Sequence, residues 1–366
     1  TYDFNGEERV YPDTRLIYWC GGNPFHHHQD LNRLVEAWRR PETVIVQDIW
    51  WTATARHADI ALPATTTLER NDIGSGGRDP YIIAMHKAAE PVADSRSDHD
   101  IFTGLSDRMG FKEAFTEGRT EREWLEHIYN VSRQLASRRG VEMPGFDQFW
   151  EKGHFKVPKP AEPFVMLGDY RADPDERSLN TPSGKIELFS ERVAGFGYDD
   201  CPGYAAWREP KEYLGSVAAA KYPLHMLSNQ PKTRLHSQMD AGGASRRSKI
   251  KGREPMWINT DDATDRDLKD GDVVRVFNDR GQTLAGVIVS DIVMLGVIQF
   301  PTGAWFDPLD RESPGAALEK HGNPNVLTRD EGTSKLGQGP SAHSALVQVE
   351  RYDGDLPEVT VHQKPV

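Results

Sequence analysis

The stretch that most constrains this chain lies near its start. Residues 15–20 (RLIYWC) form a short apolar run, Gly21-Gly22-Asn23-Pro24 is a turn, and Leu31, Leu34, Val35 and Trp38 follow at helical spacing. Residues 43–46 (TVIV) are β-branched and apolar on both faces, the composition of a buried parallel strand, and the run ends at Gln47-Asp48. Strand, turn, helix, strand is a βαβ unit with a right-handed crossover. It commits this part of the chain to a parallel sheet with helices packed on it, and residues 60–62 read as a third strand.

Two helices are predicted next, over 99–110 and 120–139. Thr120 and Glu123 form a possible capping box, Gly140 sits at the stop, and Trp124, Leu125, Ile128 and Leu135 mark one apolar face. Residues 141–180 are rich in Pro, Asp and Gly and read as an irregular connection. From Lys221 the pattern changes to short strands at 224–227, 273–278, 283–290, 293–300 and 345–350. Asp279-Arg280-Gly281 is a hairpin turn, and Asn259 caps a short helix over 261–268. The expected organisation is an α/β cofactor-binding domain over 1–214, incomplete at its N-terminus, followed by a β-barrel domain over 215–366.

A net charge of −12 excludes a general nucleic-acid binder. No apolar run reaches the length needed to span a bilayer. The first residues, TYDFNGEERVYPD, carry no basic segment followed by an apolar core, so no signal peptide is read and a cytoplasmic location is favoured over a periplasmic one. With two cysteines, Cys20 and Cys201, a disulfide scaffold, a zinc knuckle and a cysteine-ligated cluster are excluded; one 20–201 bridge is the only pairing open.

Several segments carry candidate chemistry. The Gly21–Pro24 turn follows a strand and opens a helix, so its backbone N–H groups can face an anion; it is not a GxGxxG fingerprint, and a plain tight turn is the other reading. Asp48 stands at the carboxyl end of a strand, where open α/β sheets place a ribose or base; it either accepts hydrogen bonds from such a ligand or caps the next segment. His26-His27-His28 diverge on a helix and do not converge on one ion, so no metal site is expected there. The run Ser228-Asn229-Gln230-Pro231 to Arg234-Leu235-His236-Ser237-Gln238 is dense in donors and acceptors and suits a heteroaromatic ligand such as a pterin, with an ordinary polar loop as the alternative. Asn325 and residues 338–343 lie in a long loop before the last strand. There is no GxSxG, P-loop lysine or HExxH.

Five segments in order resemble the molybdenum oxidoreductases of the dimethyl sulfoxide, trimethylamine N-oxide and biotin sulfoxide reductase type. They are YWCGGNPFHHHQDLNR, VIVQDIWWTATARHADIALPATTTLERNDI, TPSGKIELFS, SNQPKTRLHSQ and GNPNVLTRDEGTSKLGQGPSAHSALVQVE, spread from about residue 15 to 350. Trp50-Trp51 before Thr52 and the closing Ser341-Ala342-His343-Ser344 are similar to the biotin sulfoxide reductase branch.

The resemblance implies a Rossmann-like parallel-sheet domain followed by a double-psi β-barrel, and a bis-(molybdopterin guanine dinucleotide) cofactor with one molybdenum. It places Asn23, His27, Gln47, Asp48, Arg70 and Asp100 against a guanosine diphosphate arm. Ser228, Asn229, Gln230, Pro231, Arg234, His236, Ser237 and Gln238 match the segment reaching a pterin, and Asn325, Ala342 and His343 the contacts from the final loop. No residue here matches the family's catalytic or metal-ligating positions.

The activity implied is oxygen-atom transfer from a small S-oxide or N-oxide. The electron donor would be a quinol-linked cytochrome or an NADPH/thiol system. The resemblance also implies that the chain is the C-terminal half of such an enzyme. The molybdenum-ligating serine would then lie in the other half, and this chain alone would be inactive. One departure is GSGGRDPYIIAMHK after Asn71-Asp72-Ile73, where the family carries Tyr-Gly and then Ser-x-Arg-Gly near the substrate entrance. A non-catalytic nucleotide- or cofactor-handling module is the alternative from another class, and a nicotinamide dehydrogenase would require the missing GxGxxG.

Overall fold

The computed structural model describes residues 1–160, 162–310 and 317–365. The chain gathers into two compact units, one of residues 1–61 and 188–366 and one of residues 62–187.

The first unit opens with a small antiparallel hairpin, β1 (Tyr2–Phe4) and β2 (Glu7–Arg9). The βαβ pattern follows as β3 (Leu16–Cys20), a one-turn helix α1 (Pro24–His27), α2 (Leu31–Trp38) and β4 (Thr43–Asp48). β3 and β4 run parallel, with Leu16 opposite Thr43 and Cys20 opposite Gln47. The helical stretch is broken because Asp30 adopts φ 46° and caps α2, its carboxylate accepting from Arg33 N at 3.3 Å. α2 buries Leu31, Val35 and Trp38, the stripe read from the sequence. The sheet is small: β5 (Ile60–Pro63) completes three strands in the order β3-β4-β5, so the extended Rossmann-like sheet that was expected is present only as this minimal βαβ core.

The second unit carries an antiparallel sheet of β6 (Asp72–Ser75), β7 (Tyr81–Met85) and β8 (His154–Lys156). Helix Glu121–Ser137 has the capping box of Thr120 and Glu123. Its buried residues are Leu125 and Tyr129, while Ile128 and Leu135 are about half exposed. The expected apolar face is therefore rotated: Tyr129 stacks on Phe149 at 4.3 Å, and that contact selects the 125/129 stripe. Residues 141–160 and 162–180 also hold more regular structure than expected. Helix Phe146–Lys152 lies between two glycines, Gly145 and Gly153 (φ +83°), and so is too short to show a clear period.

The barrel belongs to the first unit. Its strands are β9 (Leu224–Leu227), β10 (Pro255–Ile258), β11 (Val273–Asn278), β12 (Gly281–Val289), β13 (Val297–Gln299), a short β14 (Leu318–Glu319) and β15 (Ala345–Arg351). Six of them close a ring in the order β10-β13-β9-β15-β11-β12 and back to β10, with β14 appended to β12. β9–β13 and β10–β12 are parallel; the other four pairings of the ring are antiparallel. Closure leaves no free edge in the ring, which is why such short strands suffice. The hairpin at Asp279-Arg280 is as read, with Asn278 opposite Gly281. β10 escaped the sequence reading because PMWI shows no period-2 alternation.

One apolar core joins the two parts. Phe25, Leu31, Val35, Val44 and Val46 pack in the same cluster as Leu224, Met256, Val276, Val287, Ile298 and Val347. This shared core is why no boundary between compact units falls near residue 215. Each such fully buried aliphatic side chain contributes about 1.5–3 kcal/mol. Cys201 is a free thiol, so no 20–201 bridge forms. Among the described residues no helix is long and apolar enough to cross a membrane.

Candidate functional site

The site begins at the glycine turn after β3. Gly21 and Gly22 adopt φ +68° and +76°, a region that disfavours side chains. Gly21 N donates to the Gln47 carbonyl at 3.2 Å, fixing the turn against the end of β4. Asn23 follows, buried, with its Oδ1 accepting from Thr54 Oγ1 at 2.6 Å. Its Nδ2 has no partner among the described residues. Neither has the indole Nε1 of Trp19, which lies 3.7 Å from where a Cβ on Gly22 would stand. Two buried N–H donors thus flank a turn kept free of side chains. Unpaired buried donors are rare in folded proteins and destabilising unless something fills them.

The loop after β9 meets α1. The His26 ring lies 6.2 Å from that of His236. Burial, with His27 and His236 nearby, pushes the His26 imidazole down to about 3, so it is neutral; its Nδ1 is also without a partner. His27 is more open, and burial with His28 and His236 lowers it as well.

His236 is held by Gln230, whose Oε1 accepts from His236 N at 2.9 Å and whose Nε2 lies 2.9 Å from His236 Nδ1. A Cβ on Gly303 (φ +109°) would come within 2.0 Å of the His236 carbonyl, so glycine alone permits this approach. Ser228 N donates to His343 Nδ1 at 3.3 Å, joining the loop to the residues after Ala342. Asn229 donates to the Gln230 carbonyl, while its Oδ1 is buried and unpaired. Asn229, Gln230 and Pro231 line a cavity of about 280 Å³ with Trp257. The Ser237 carbonyl accepts from Trp305 Nε1 at 2.9 Å, and Gln238 is exposed.

Other candidates are engaged by the fold itself. Arg234 is fully buried: its Nη2 meets Glu254 at 3.1 Å and the Thr302 carbonyl, its Nη1 reaches Ser245, and its Nε lies 3.4 Å from Asp240. Asn325 Nδ2 donates to the His26 carbonyl and Asn323 Nδ2 to that of Phe25, at 3.1 Å in the second case. Asp48 accepts from Ile49 N at 2.7 Å and Thr52 Oγ1 at 3.0 Å, the local capping role, while burial raises its carboxyl. Gln47 is buried and accepts from the Tyr18 hydroxyl at 2.8 Å.

Arg70 and Asp100 belong to the second unit. Arg70 pairs with Asp72 at 3.1 Å, donates to the Thr65 carbonyl and borders a cavity of about 150 Å³ with Ser97 and His99. Asp100 sits exposed in the first turn of helix Asp98–Arg108, its N–H bound to Ser97.

Trp19 and Thr54 were not singled out from the sequence, and His26 was weighed only within the His26–His28 run. Only the glycine turn hinted at them, since a turn without side chains makes its immediate neighbours the wall of any site.

Residues 7–108 match the family described as molybdopterin oxidoreductase, and residues 224–346 match the molydopterin dinucleotide binding domain. The chain is 50% identical to the dimethyl sulfoxide/trimethylamine N-oxide reductase of Cereibacter sphaeroides, over 100% of this chain and 44% of that protein. It is also 50% identical to the biotin sulfoxide reductase of the same organism, over 97% and 47%. The trimethylamine-N-oxide reductase of Haemophilus influenzae is 44% identical over 99% and 44%. The fold is similar to that of acetylene hydratase from Pelobacter acetylenicus, with TM-score 0.70 at 18% identity over 95% of this chain and 45% of that one.

The chain spans less than half the length of the curated relatives it matches. Two expectations change. The biotin sulfoxide branch is not singled out, because a dimethyl sulfoxide/trimethylamine N-oxide reductase matches at the same identity. The description as a C-terminal half does not stand either: the match runs over the full chain, and the coverage gives a length rather than an end.

Proposed function

We propose that this chain belongs to the molybdopterin oxidoreductases, holds a bis-(molybdopterin guanine dinucleotide) molybdenum cofactor and serves the reduction of small S-oxides or N-oxides. When bound, that cofactor supplies the oxygen-atom and two-electron chemistry. The electrons would come from a quinol-linked cytochrome or an NADPH/thiol system. The βαβ core acts in this reading as a Rossmann-type nucleotide cradle, and the closed barrel as one of double-psi type.

The observation that carries the reading is the pair of unpartnered buried donors, Asn23 Nδ2 and Trp19 Nε1, beside the Gly21-Gly22 turn. Donors of that kind, with no side chain between them and a ligand, fit the oxygens of a nucleotide diphosphate. Asp48, with lone-pair capacity left beyond its local bonds to Ile49, Trp50 and Thr52, accepts from ribose or guanine. In the second unit, taken by itself, Arg70 and Asp100 are the candidate nucleotide contacts. Ser228 through Gln230, Pro231, His236, Ser237 and Gln238, with Ala342 and His343, line the pterin side; the side-chain amides there both donate and accept, as a pterin edge requires. Arg234 and Asn325 act through other residues, by holding the 228–238 loop and the α1 turn in place.

The test is metal and pterin analysis of the protein together with a panel of S-oxides and N-oxides. Stoichiometric molybdenum and guanine-nucleotide pterin with reductase activity are expected. Tight binding of nicotinamide dinucleotide with no pterin would overturn the reading, and pterin bound with no turnover on the panel would favour a cofactor-handling role.

A further inference from the structure

The Asp240 carboxylate ends the buried ion network, and its two oxygens face different groups. Oδ1 meets Lys249 Nζ at 2.9 Å and Ser245 Oγ at 3.0 Å. Oδ2, which accepts from Trp305 N at 3.3 Å, also faces two imidazoles: His321 Nε2 at 3.7 Å and His362 Nε2 at 3.5 Å. The three ligand atoms lie within 4.8 Å of one another. Three atoms bound tetrahedrally to one ion, each at about 2.1 Å, stand about 3.4 Å apart. Both distances to Asp240 are within a few tenths of an ångström of that value.

His321 already has the posture of a ligand. Its Nδ1 lies 2.9 Å from the Trp305 carbonyl, so the proton sits on Nδ1 and Nε2 turns its lone pair to Asp240. Asp240 and His321 are fully buried. His362 comes from the C-terminal tail and packs edge-on against Trp305 and His321 at 5.3 and 5.2 Å. Both of its ring nitrogens are buried and lack a hydrogen-bond partner among the described residues. Burial keeps both histidines below the usual range and therefore neutral, the form that binds metal. A cavity of about 580 Å³ opens beside His321 and His362 and gives access for an ion. Lys249 and Arg234 would repel a cation, but each also pairs with Glu254. Two cations and two carboxylates balance before any ion arrives.

We propose that Asp240, His321 and His362 form a binding site for a divalent first-row cation, Zn²⁺ above all, with one position open to the cavity. Two histidines and a carboxylate with an open position suit that ion. The site would clasp the C-terminal tail to the loops carrying Asp240 and His321.

The test uses the full chain, stripped with a chelator, titrated calorimetrically with Zn²⁺ and followed by visible absorption with Co²⁺. One equivalent of Zn²⁺ that displaces Co²⁺ is expected. His362→Ala should weaken Zn²⁺ binding more than about tenfold while the metal-free chain keeps its circular dichroism. His362→Gln, closer in size, gives the same comparison should alanine loosen the tail. A His27→Ala/His28→Ala variant should bind normally. The proposal falls if the unaltered chain binds no equivalent, if both His362 variants bind as it does, or if binding disappears in the His27/His28 variant instead.

Discussion

Two polar regions of the first unit, close in sequence character, behave oppositely. Around Arg234, Asp240, Lys249 and Glu254, buried charges are met by one another and by Ser245 and the Thr302 carbonyl. Around Gly21-Gly22, buried polar atoms on Trp19, Asn23 and His26 are left open. Polarity in a sequence therefore does not separate scaffold from ligand site. Whether the fold itself completes the hydrogen bonds does.

The largest effect that would break this contrast is Arg234→Ala. It leaves two buried carboxylates to share the one Lys249 cation and should destabilise the first unit by about 3–5 kcal/mol, read as a drop in the urea midpoint. An unchanged midpoint would mean that the network is not structural. The matching change on the open side is Asn23→Asp. It keeps the acceptor for Thr54 but replaces the unpaired donor with a buried carboxyl, so stability should fall by about 1–3 kcal/mol, less than for Arg234→Ala. Affinity for guanosine diphosphate, in equilibrium dialysis, should fall about tenfold. If stability fell as far as for Arg234→Ala and affinity held, the two regions would not differ as described.

Acid sharpens the comparison. His26 and His321, one from each region, are held at about 3 in the fold against 6.5 when free. Between those values the unfolded chain binds protons that the folded chain does not. Their stabilisation is complete above pH 6.5 and is lost as pH falls toward 3. The melting temperature should drop on going from pH 7 to 5, and His26→Gln should flatten part of that slope. The smallest effect lies outside both regions. Thr120→Ala removes a helix cap from the second unit and should cost about 1 kcal/mol, without changing nucleotide binding.

Much of this was legible in the sequence. The βαβ unit was visible because Leu31, Val35 and Trp38 repeat at helical spacing between two apolar runs. The barrel hairpin was visible because Asp279-Arg280-Gly281 interrupts a β-branched run. Barrel closure was not, since it depends on β12 pairing with β10, and nothing in PMWI announces a partner. The fate of Arg234 was hidden for the same reason: its carboxylates come from Asp240 and Glu254, at spacings no helical or strand period links. The openness of Trp19 Nε1 was the least legible, being set by what fails to reach it.

The stitching of α1 has a consequence in time. The carbonyls of Phe25 and His26 are bound by Asn323 and Asn325, partners 298 and 299 residues away. A ribosome adds about 5–20 residues per second, so the glycine turn waits about 15–60 s for the loop that fixes it. The opening segment of the chain is thus among the last to acquire its final shape, and a nucleotide-bearing ligand arriving during synthesis finds the turn before its fixing loop exists.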